Sequence, residues 1–406
     1  MAGPLGHIKV LELARVLAGP WASQTLADLG ASVIKVEKPG DGDDTRAWGP
    51  PWAKDADGHP TRVSAYFLST NRGKRSVTID FTRPQGQRLV QDLARHSDVV
   101  IENFRVGGLA KYGLDYASLH AINPGLIYCS ITGFGQTGPY KHRPGYDFMI
   151  QGMGGLMSFT GEPDGRPGAG PMKVGVAVAD IFTGLYATIG ILGALAHRER
   201  TGEGQQIDLA LLDSQVAVLA NQALNYLVSG TSPIRLGNAH PNIVPYQAFA
   251  TADGYMILAV ANDGQFAKFC EVANRPELVH DQRFATNEAR VIHREQMAAI
   301  VGEIMATKPS AFWLKELEQS VPCGPINTVA QVFDDPQVQA RQMELKLPHP
   351  IAGSVPSVAN PIKYSATPLE YELAPPPLGH HTDEVLQQHL GLSGAEIQKL
   401  RDDGVI

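Results

Sequence analysis

The sequence of 406 residues is poor in cysteine, and its three cysteines, Cys129, Cys270 and Cys323, lie far apart. Without a CxxC pair, we expect neither a disulfide framework nor a zinc knuckle, and a reducing compartment fits. The patterns HExxH and GxSxG are also absent. The sequence therefore implies no metal, and its residue order indicates no serine nucleophile.

Strong charge is also lacking, since the formal net charge is −7 and 18% of the residues are charged. This mild acidity argues against a nucleic-acid partner and against a polybasic membrane surface. The one long apolar run, residues 181–196, contains three glycines and is short for a membrane span. We expect a buried core helix there. Charged residues near the N-terminus interrupt any signal-peptide pattern, so we expect a cytoplasmic protein.

The first part of the chain alternates apolar, strand-like runs with helical stretches. The predicted strands are HIKVLEL, ASVIKVEK, RSVTIDF, DVVIENF and GLIYCSI, at residues 7–13, 31–38, 75–81, 98–104 and 125–131. Apolar strands that alternate with helices predict an α/β fold with a parallel sheet covered on both faces. Ligands of such sheets bind beyond the carboxyl ends of the strands.

A different pattern begins after a cluster of glycine, proline and asparagine residues. The run AFATADGYMILAV, residues 248–260, predicts a hairpin that turns at Asp253 and Gly254. Short, charged helices follow. We therefore predict a large domain over residues 1–229 and 326–406, with a smaller α+β domain inserted at residues 230–325.

Asp180 is the most informative single residue, because it lies within an otherwise uncharged apolar stretch from Val174 to Ala196. An ionised carboxylate there costs several kcal/mol or more unless it is paired, hydrogen-bonded or held at a wet cleft. One interpretation is an N-cap of the helix that follows. The other is a catalytic group at the mouth of a pocket, and one carboxylate can serve both purposes.

Two loop patterns bear on ligand binding. The run GFGQTG, residues 133–138, follows a predicted strand, but the prolines and basic residues after it make a poor helix start. It therefore does not predict dinucleotide binding. Basic residues also cluster near strand ends, which indicates either a phosphate site or scattered solvated charge. They are Lys38, Arg46, Arg72, Lys74, Arg75, Arg105, Lys141 and Arg143.

Six motifs in order resemble those of the class III CoA-transferases over nearly the whole chain. They are RVLAGPWAS, IKVEKPGDGDDTR, NRGKRSVTIDF, IENFRVGGLAKYGL, GFGQTGPYKHRPGYD and KVGVAVADIFTG. The resemblance implies a Rossmann-like large domain made from both termini and a small inserted domain. It also implies a homodimer whose two chains interlock like linked rings.

The resemblance makes Asp180 the nucleophile that attacks an acyl-CoA thioester through a mixed anhydride and an aspartyl-CoA thioester. Such covalent catalysis needs no metal and no permanently bound cofactor, and coenzyme A enters as acyl-CoA substrate. The residues implied to bind CoA are Val16, Ala18, Lys38, Arg72, Arg75, Asn103, Phe104, Arg105, Lys111 and Lys141. Those implied to act at the substrate or lid are Arg46, Trp48, Tyr146, Gly237 and Asn238.

Two departures from the family pattern narrow the expected activity. Leu17 stands where the formyl-CoA enzymes carry glutamine, which disfavours oxalate. Tyr146 stands where the related 2-methylacyl-CoA racemases carry a histidine, and tyrosine is a poor base near neutrality. We therefore expect a transferase that uses succinyl-CoA or a similar dicarboxyl-CoA and a carboxylic acid, with Arg46 pairing the distal carboxylate. The alternatives are a racemase-type isomerase and an inactive CoA-binding protein.

Overall fold

The computed structural model describes residues 3–406. The strands of this part are β1 (Lys9–Glu12), β2 (Ser32–Glu37), β3 (Trp52–Lys54), β4 (Pro60–Ser64), β5 (Lys74–Thr78), β6 (Val99–Glu102), β7 (Ile127–Thr132), β8 (Gln206–Ala210), β9 (Tyr246–Ala250), β10 (Tyr255–Ala259), β11 (Cys323–Pro325), β12 (Glu344–His349) and β13 (Gly353–Val358).

The α-helices of the same residues are α1 (Ala18–Asp28), α2 (Ala65–Leu68), α3 (Pro84–Arg95), α4 (Tyr116–Ile122), α5 (Asp147–Met153), α6 (Leu156–Phe159), α7 (Val178–Thr201), α8 (Leu211–Ala217), α9 (Ala220–Ser229), α10 (Asp263–Val272), α11 (Glu277–His280), α12 (Asn287–Ile292), α13 (Arg294–Met305), α14 (Ser310–Leu317), α15 (Val329–Asp334), α16 (Pro336–Ala340), α17 (Thr382–Leu390) and α18 (Gly394–Asp402).

The main sheet has six parallel strands in the order β5-β2-β1-β6-β7-β8. This confirms the predicted α/β fold with a parallel sheet. Strand β8, which pairs with β7 at one edge, was not predicted from the sequence. The chain moves outward from β1 to β5 and then returns to place β6 beside β1. Such a reversal of strand order opens a crevice at the carboxyl ends of the two central strands.

Helices cover both faces of the sheet, as the apolar strands require. On one face, α1 and α7 pack against residues such as Val10, Val99 and Ile127. On the other face, α3, α17 and α18 pack against the strand residues that point the opposite way, such as Leu11 and Val100. Because successive strand residues point to opposite faces, each strand needs apolar residues throughout.

Helix α7 contains the apolar stretch that follows Asp180. By length and composition alone it could cross a membrane. In the structure it contacts α1, α8, β7 and β8, and its residues Ala187 and Ile191 are fully buried. The helix therefore forms part of the core on one face of the sheet.

Two compact units divide the described chain. One comprises residues up to 156 together with 174–224 and 339–406, and the other comprises residues 157–173 and 225–338. The smaller unit has its own antiparallel sheet, β11-β10-β9, in which Tyr255 pairs with Ala250 across the predicted hairpin. Its core includes Phe266, Phe269 and Trp313. Segment 157–173 joins this unit although it lies outside the range predicted for the small domain.

Candidate active site

A cavity of about 970 Å³ opens at the carboxyl edge of the main sheet, close to the reversal of strand order. This volume is in the range of ordinary small-molecule sites. The cavity wall takes residues from segments 13–18, 36–44, 79–82, 103–112, 131–133 and 141–146, together with Asp180 and Leu211. Five of these segments follow β1, β2, β5, β6 and β7, so parallel topology brings the strand-end loops together.

The structure brings most of the predicted site residues to this cavity. Asp180 and Tyr146 line it, and so do eight of the ten residues predicted to contact CoA. These eight are Val16, Ala18, Lys38, Asn103, Phe104, Arg105, Lys111 and Lys141. The wall also carries Arg15 and Arg143, which gives it several cations in a protein of net negative charge.

Arg72 and Arg75 do not line the cavity, so the structure does not support their predicted contact with CoA phosphates. Arg72 is buried and donates from Nε and Nη2 to the Asp28 carboxylate at 2.8 and 2.6 Å. Arg75 bonds Ser32 and lies 3.5 Å from the Glu384 carboxylate. Both residues lie at the start of β5, whereas the cavity is at the carboxyl edge of the sheet. Residues 79–82, which follow β5, line the cavity instead.

Arg46 also lies outside the cavity wall, and its expected pairing with a substrate carboxylate stays a prediction. Its Nε and Nη2 donate to both carboxylate oxygens of Glu37 at 2.7 and 2.6 Å. Nη1 donates to the Pro376 carbonyl at 3.1 Å, and the guanidinium lies 3.7 Å from the centre of the Phe67 ring. Internal partners therefore engage all three nitrogens of the guanidinium.

Trp48 lies outside the cavity wall as well, and its side chain contacts Tyr66 edge to face, with ring centres 5.0 Å apart. Burial raises the pKa of Tyr66, and the negative charges of Asp180, Asp147 and Asp43 raise it further. Tyr66 thus lies within the electrostatic reach of Asp180. Trp48 was predicted to act at the site but Tyr66 was not, because nothing in the sequence links Tyr66 to Asp180.

Gly237 and Asn238 belong to the smaller unit. Gly237 adopts a left-handed φ of 61°, and its N–H donates to the Gly161 carbonyl at 3.0 Å. A side chain added at this glycine would come within 3.2 Å of the Glu162 carboxylate. The loop is therefore shaped by contacts inside its own unit, and its role as a lid stays a prediction.

Asp180 is the third residue of α7, and the structure decides between the two interpretations of its helix position. The helix N-terminus is capped by the side chain of Asp147, whose Oδ1 accepts the N–H of Ala179 at 2.8 Å. The other oxygen of Asp147 accepts from Gln151 at 2.7 Å. Asp180 is therefore not the N-cap, and its carboxylate is free to face the cavity.

Burial raises the pKa of Asp180 to about 7, and repulsion from the neighbouring Asp147 carboxylate contributes to this increase. Among residues 3–406, no lysine or arginine lies within ion-pair distance of the Asp180 carboxylate. A carboxyl group with such a pKa at a cavity is a candidate nucleophile or proton carrier.

A second carboxyl group with a raised pKa lies near the cavity but outside its wall. Glu102, at the end of β6, accepts the N–H of Phe104 at 2.7 Å, and burial raises its pKa to about 7. Its partners are a backbone N–H and the Ser130 hydroxyl, and both stabilise the ionised form. Glu102 does not line the main cavity, so its observed contact is with the loop that follows β6.

The described part of the chain holds one group of side chains with metal-ligand spacing, Asp55, Asp57 and His59, whose ligand atoms lie within 4.8 Å of one another. Asp55 already accepts the N–H groups of Asp57 and His59. The group is outside the cavity wall, and exposed acidic turns of this kind are common without an ion.

Comparisons with known proteins identify the family. The model of CoA-transferase family III matches residues 5–382. The chain is 56% identical over 390 residues to the succinate–glutarate CoA-transferase of Agrobacterium fabrum, with 95% of each protein covered. It is 42% identical over 404 residues to succinyl-CoA:glutarate CoA-transferase of Homo sapiens, with 99% of this chain and 90% of that protein covered.

A solved structure is similar throughout. The crystal structure of a CAIB/BAIF family protein from Brucella suis aligns with a TM-score of 0.83 and 54% identity, covering 96% of this chain and 100% of that one. The chain therefore belongs to CoA-transferase family III and is an enzyme that transfers CoA. The resemblance found from the six motifs is confirmed.

Proposed function

We propose that the enzyme moves CoA from succinyl-CoA to glutarate or a similar small dicarboxylate, with Asp180 as the nucleophile. The observation that carries the proposal is a carboxyl group with a pKa of about 7, at the wall of a cavity with a cationic lining. The names of the Agrobacterium fabrum and human relatives, both glutarate CoA-transferases, support the choice of substrates. Because the alignments cover 95% and 90% of these two relatives, the comparison supports the same complete reaction for this chain.

The proposed reaction has four steps. The Asp180 carboxylate attacks the thioester carbonyl, and CoA leaves as a thiolate from the tetrahedral adduct, so that a mixed anhydride of Asp180 and succinate remains. The thiolate then attacks the aspartyl carbonyl of the anhydride, which releases succinate and leaves an aspartyl-CoA thioester. The acceptor carboxylate reverses these two steps and departs as its CoA ester, which restores Asp180. Bonds and charges balance without ATP, metal or a permanently bound cofactor.

We assign the CoA-binding role to the eight predicted residues that line the cavity. Lys38, Arg105, Lys111 and Lys141 would meet the phosphates, because cations pair strongly with phosphate oxygens. Residues Val16, Ala18, Asn103 and Phe104 would line the path to the thioester. Arg143 joins this set as a cation that the sequence analysis noted without a role; it lies against the rings of Phe134 and Tyr140.

A panel of acyl-CoA donors and carboxylic acids tests the proposal, with the CoA products identified by mass spectrometry. We expect exchange between succinyl-CoA and C4 to C6 dicarboxylates and little exchange with monocarboxylates. Hydroxylamine added during turnover should modify the peptide that contains Asp180, and Asp180→Ala should abolish both signals. Deuterium incorporation at Cα in D₂O without an acceptor acid would instead favour the isomerase, and binding without exchange would favour an inactive protein.

We also propose that the protein is a homodimer of interlocked chains with a Rossmann-like large domain, and that it works in the cytoplasm. The strand order of the sheet supports the Rossmann-like description. Apolar side chains on α7 that remain exposed in the single chain support association, namely Phe182, Leu185, Tyr186 and Ile189. Light scattering should give a mass near twice 43.6 kDa, and Ile189→Asp should lower it, unlike a charge added at exposed Ile292 of the other unit.

A further inference from the structure

A cluster of four charged side chains is fully buried beneath the loop that joins β1 to α1. Lys35 Nζ lies 2.9 Å from a carboxylate oxygen of Glu12 and 2.9 Å from one of Asp43. Lys74 Nζ lies 2.9 Å from the other oxygen of Glu12. Two acids and two bases therefore balance, which is the condition for keeping charges away from water.

Three members of the cluster, Asp43, Lys35 and Lys74, have pKa values that differ from their ordinary values. Burial opposes ionisation of Asp43, but the charge of Lys35 and the hydrogen bonds from Thr45 outweigh it and lower the pKa of Asp43 to about 2. Burial also acts to lower the pKa of Lys35, and the carboxylates of Asp43 and Glu12 leave that pKa above its ordinary value. Burial lowers the pKa of Lys74 to about 8, partly offset by Glu12.

The two lysines of this cluster contact the backbone on either side of Val16. Lys35 Nζ donates to the Ala14 carbonyl at 2.9 Å, and Lys74 Nζ donates to the Pro20 carbonyl at 3.0 Å. Between these two points, the backbone N–H of Val16 donates to both oxygens of Asp43 at 3.3 and 3.2 Å. The buried charges thus hold the loop at its start and middle, and they hold the first turn of α1 that follows it.

Val16 has an unfavourable backbone conformation that requires support from its surroundings. Its φ is 71°, a left-handed value that is unfavourable for a β-branched side chain. Strained backbone of this kind persists where surrounding contacts enforce it and is frequent at functional sites. Val16, Leu17 and Ala18 all line the same cavity as Asp180.

Arg15, the residue before Val16, is held by a different side chain. Asn103 accepts the N–H of Arg15 at 2.9 Å and donates to the Arg15 carbonyl at 2.7 Å. Its amide therefore serves the loop backbone, although the residue also borders the cavity. The contact from Asp43 is the one that acts on the strained residue itself.

We propose that Asp43 is a positioning residue for catalysis, which holds Val16 in the left-handed conformation so that the loop presents its backbone to the thioester end of acyl-CoA. This inference rests on the proposed function, because it assigns the loop to the thioester. Asp43 itself acts through Val16. Its carboxylate is engaged by Lys35, Thr45 and Val16, which leaves no oxygen for substrate.

The test uses the variant Asp43→Asn and asks whether glycine at position 16 rescues it. Asparagine keeps the size of the side chain but places an N–H₂ group or a neutral oxygen against Lys35 and Val16. We expect kcat/KM for acyl-CoA to fall roughly 10- to 100-fold, because a displaced binding loop misaligns the thioester and Asp180. Glycine adopts positive φ at no steric cost. Adding Asp43→Asn to the Val16→Gly variant should therefore lower kcat/KM much less than adding it to the wild type.

Stability provides the second readout. The melting temperature of Asp43→Asn should fall because Lys35 loses a charge partner, and glycine at position 16 should not restore it. Asp28→Asn is the matched control, since Asp28 is a buried carboxylate that pairs with Arg72 outside the cavity. It should lower the melting temperature while kcat/KM changes by less than about twofold.

A milder variant covers the case in which Asp43→Asn does not fold. Thr45→Val removes only the hydroxyl that donates to Asp43 at 2.8 Å and should show the same rescue with a smaller loss. If the variants lower the melting temperature and leave kcat/KM unchanged, or if glycine at position 16 restores no activity, Asp43 has a purely structural role. A wild-type enzyme that exchanges no CoA would instead refute the proposed function.

Discussion

The backbone N–H of Asp180 points toward the carboxylate of Asp147, with 3.4 Å between the nitrogen and Oδ1. One acid thus caps the helix that presents the other acid to the cavity. The arrangement orients Asp180 and also places a like charge beside it, which adds to the effect of burial in raising its pKa to about 7. Positioning and electrostatic tuning come from the same residue.

The first prediction concerns the charge of Asp147. Asparagine at this position can still accept the N–H of Ala179, so the cap is retained while the negative charge is lost. The acid limb of the pH profile of kcat/KM should lie near pH 7 in the wild type, because the nucleophile must be ionised. In Asp147→Asn we expect it to move to lower pH by roughly 0.5 to 1 unit.

The measurement is kcat/KM for acyl-CoA between pH 5 and pH 9. Asp281→Asn, a change to a partly exposed carboxylate of the other unit, is the control and should leave the profile in place. An acid limb that does not move in Asp147→Asn would show that Asp180 does not titrate in the limiting step.

The second prediction concerns stability and pH. The pKa of Asp180 is raised on folding, so its favourable contribution is complete below the unfolded value of about 4 and is lost as pH rises through 7. Above pH 7 the folded protein therefore carries the cost of a buried, ionised carboxylate, and Asp180→Asn removes that cost. The variant should be inactive, yet its free energy of unfolding at pH 8 should exceed that of the wild type by roughly 1 to 3 kcal/mol.

Denaturant unfolding at pH 8 and at pH 4.5 checks this prediction. The gain should shrink at the lower pH, where the wild-type carboxyl is protonated in the folded state. A variant that is less stable than the wild type at pH 8 would contradict the assigned environment of Asp180.

The third prediction separates cations of the cavity from those outside it. Arg105→Ala or Lys141→Ala should raise KM for acyl-CoA roughly fivefold or more, because each removes a charge-assisted contact with phosphate. Arg75→Ala should change KM by less than about twofold, since Arg75 lies at the opposite edge of the sheet. Steady-state kinetics at two salt concentrations measures both effects. A large increase in KM for acyl-CoA in Arg75→Ala would show that Arg75 does contact the CoA phosphates.

The fourth prediction concerns Arg46. Because Arg46 neutralises the buried Glu37, Arg46→Met should lower the free energy of unfolding by about 3 kcal/mol while KM for dicarboxylates stays unchanged. Glu37→Gln combined with Arg46→Met should recover part of the stability. If Arg46→Met raised KM for dicarboxylates and spared monocarboxylates, the original expectation of a substrate contact would be correct.

Several features could be predicted from the sequence because local chemistry carries them. Asp180 was recognisable as a carboxylate in an apolar stretch, and the hairpin at Asp253 and Gly254 has a local turn signal. The parallel sheet followed from apolar strands alternating with helices. Strand β8 was missed because its alternating polar residues, QIDLA, run directly into the next helix.

Other features depend on residues far apart in the chain. Arg72 and Arg46 are cations near strands, and sequence position cannot distinguish an arginine at a cavity from one that pairs with Asp28 or Glu37. Asp43 and Val16 are separated by 27 residues, and no local pattern indicates that one holds the other. Asp147, 33 residues before Asp180, was overlooked for the same reason.

The sequence by itself determined the family, the parallel α/β architecture and the segments that follow the strands, since apolar periodicity and short motifs are local properties. Tertiary structure decided which charges meet water and which meet each other. Burial and ion pairing depend on neighbours brought together by folding, so the same arginine or aspartate can be a ligand-binding group or an internal counterion.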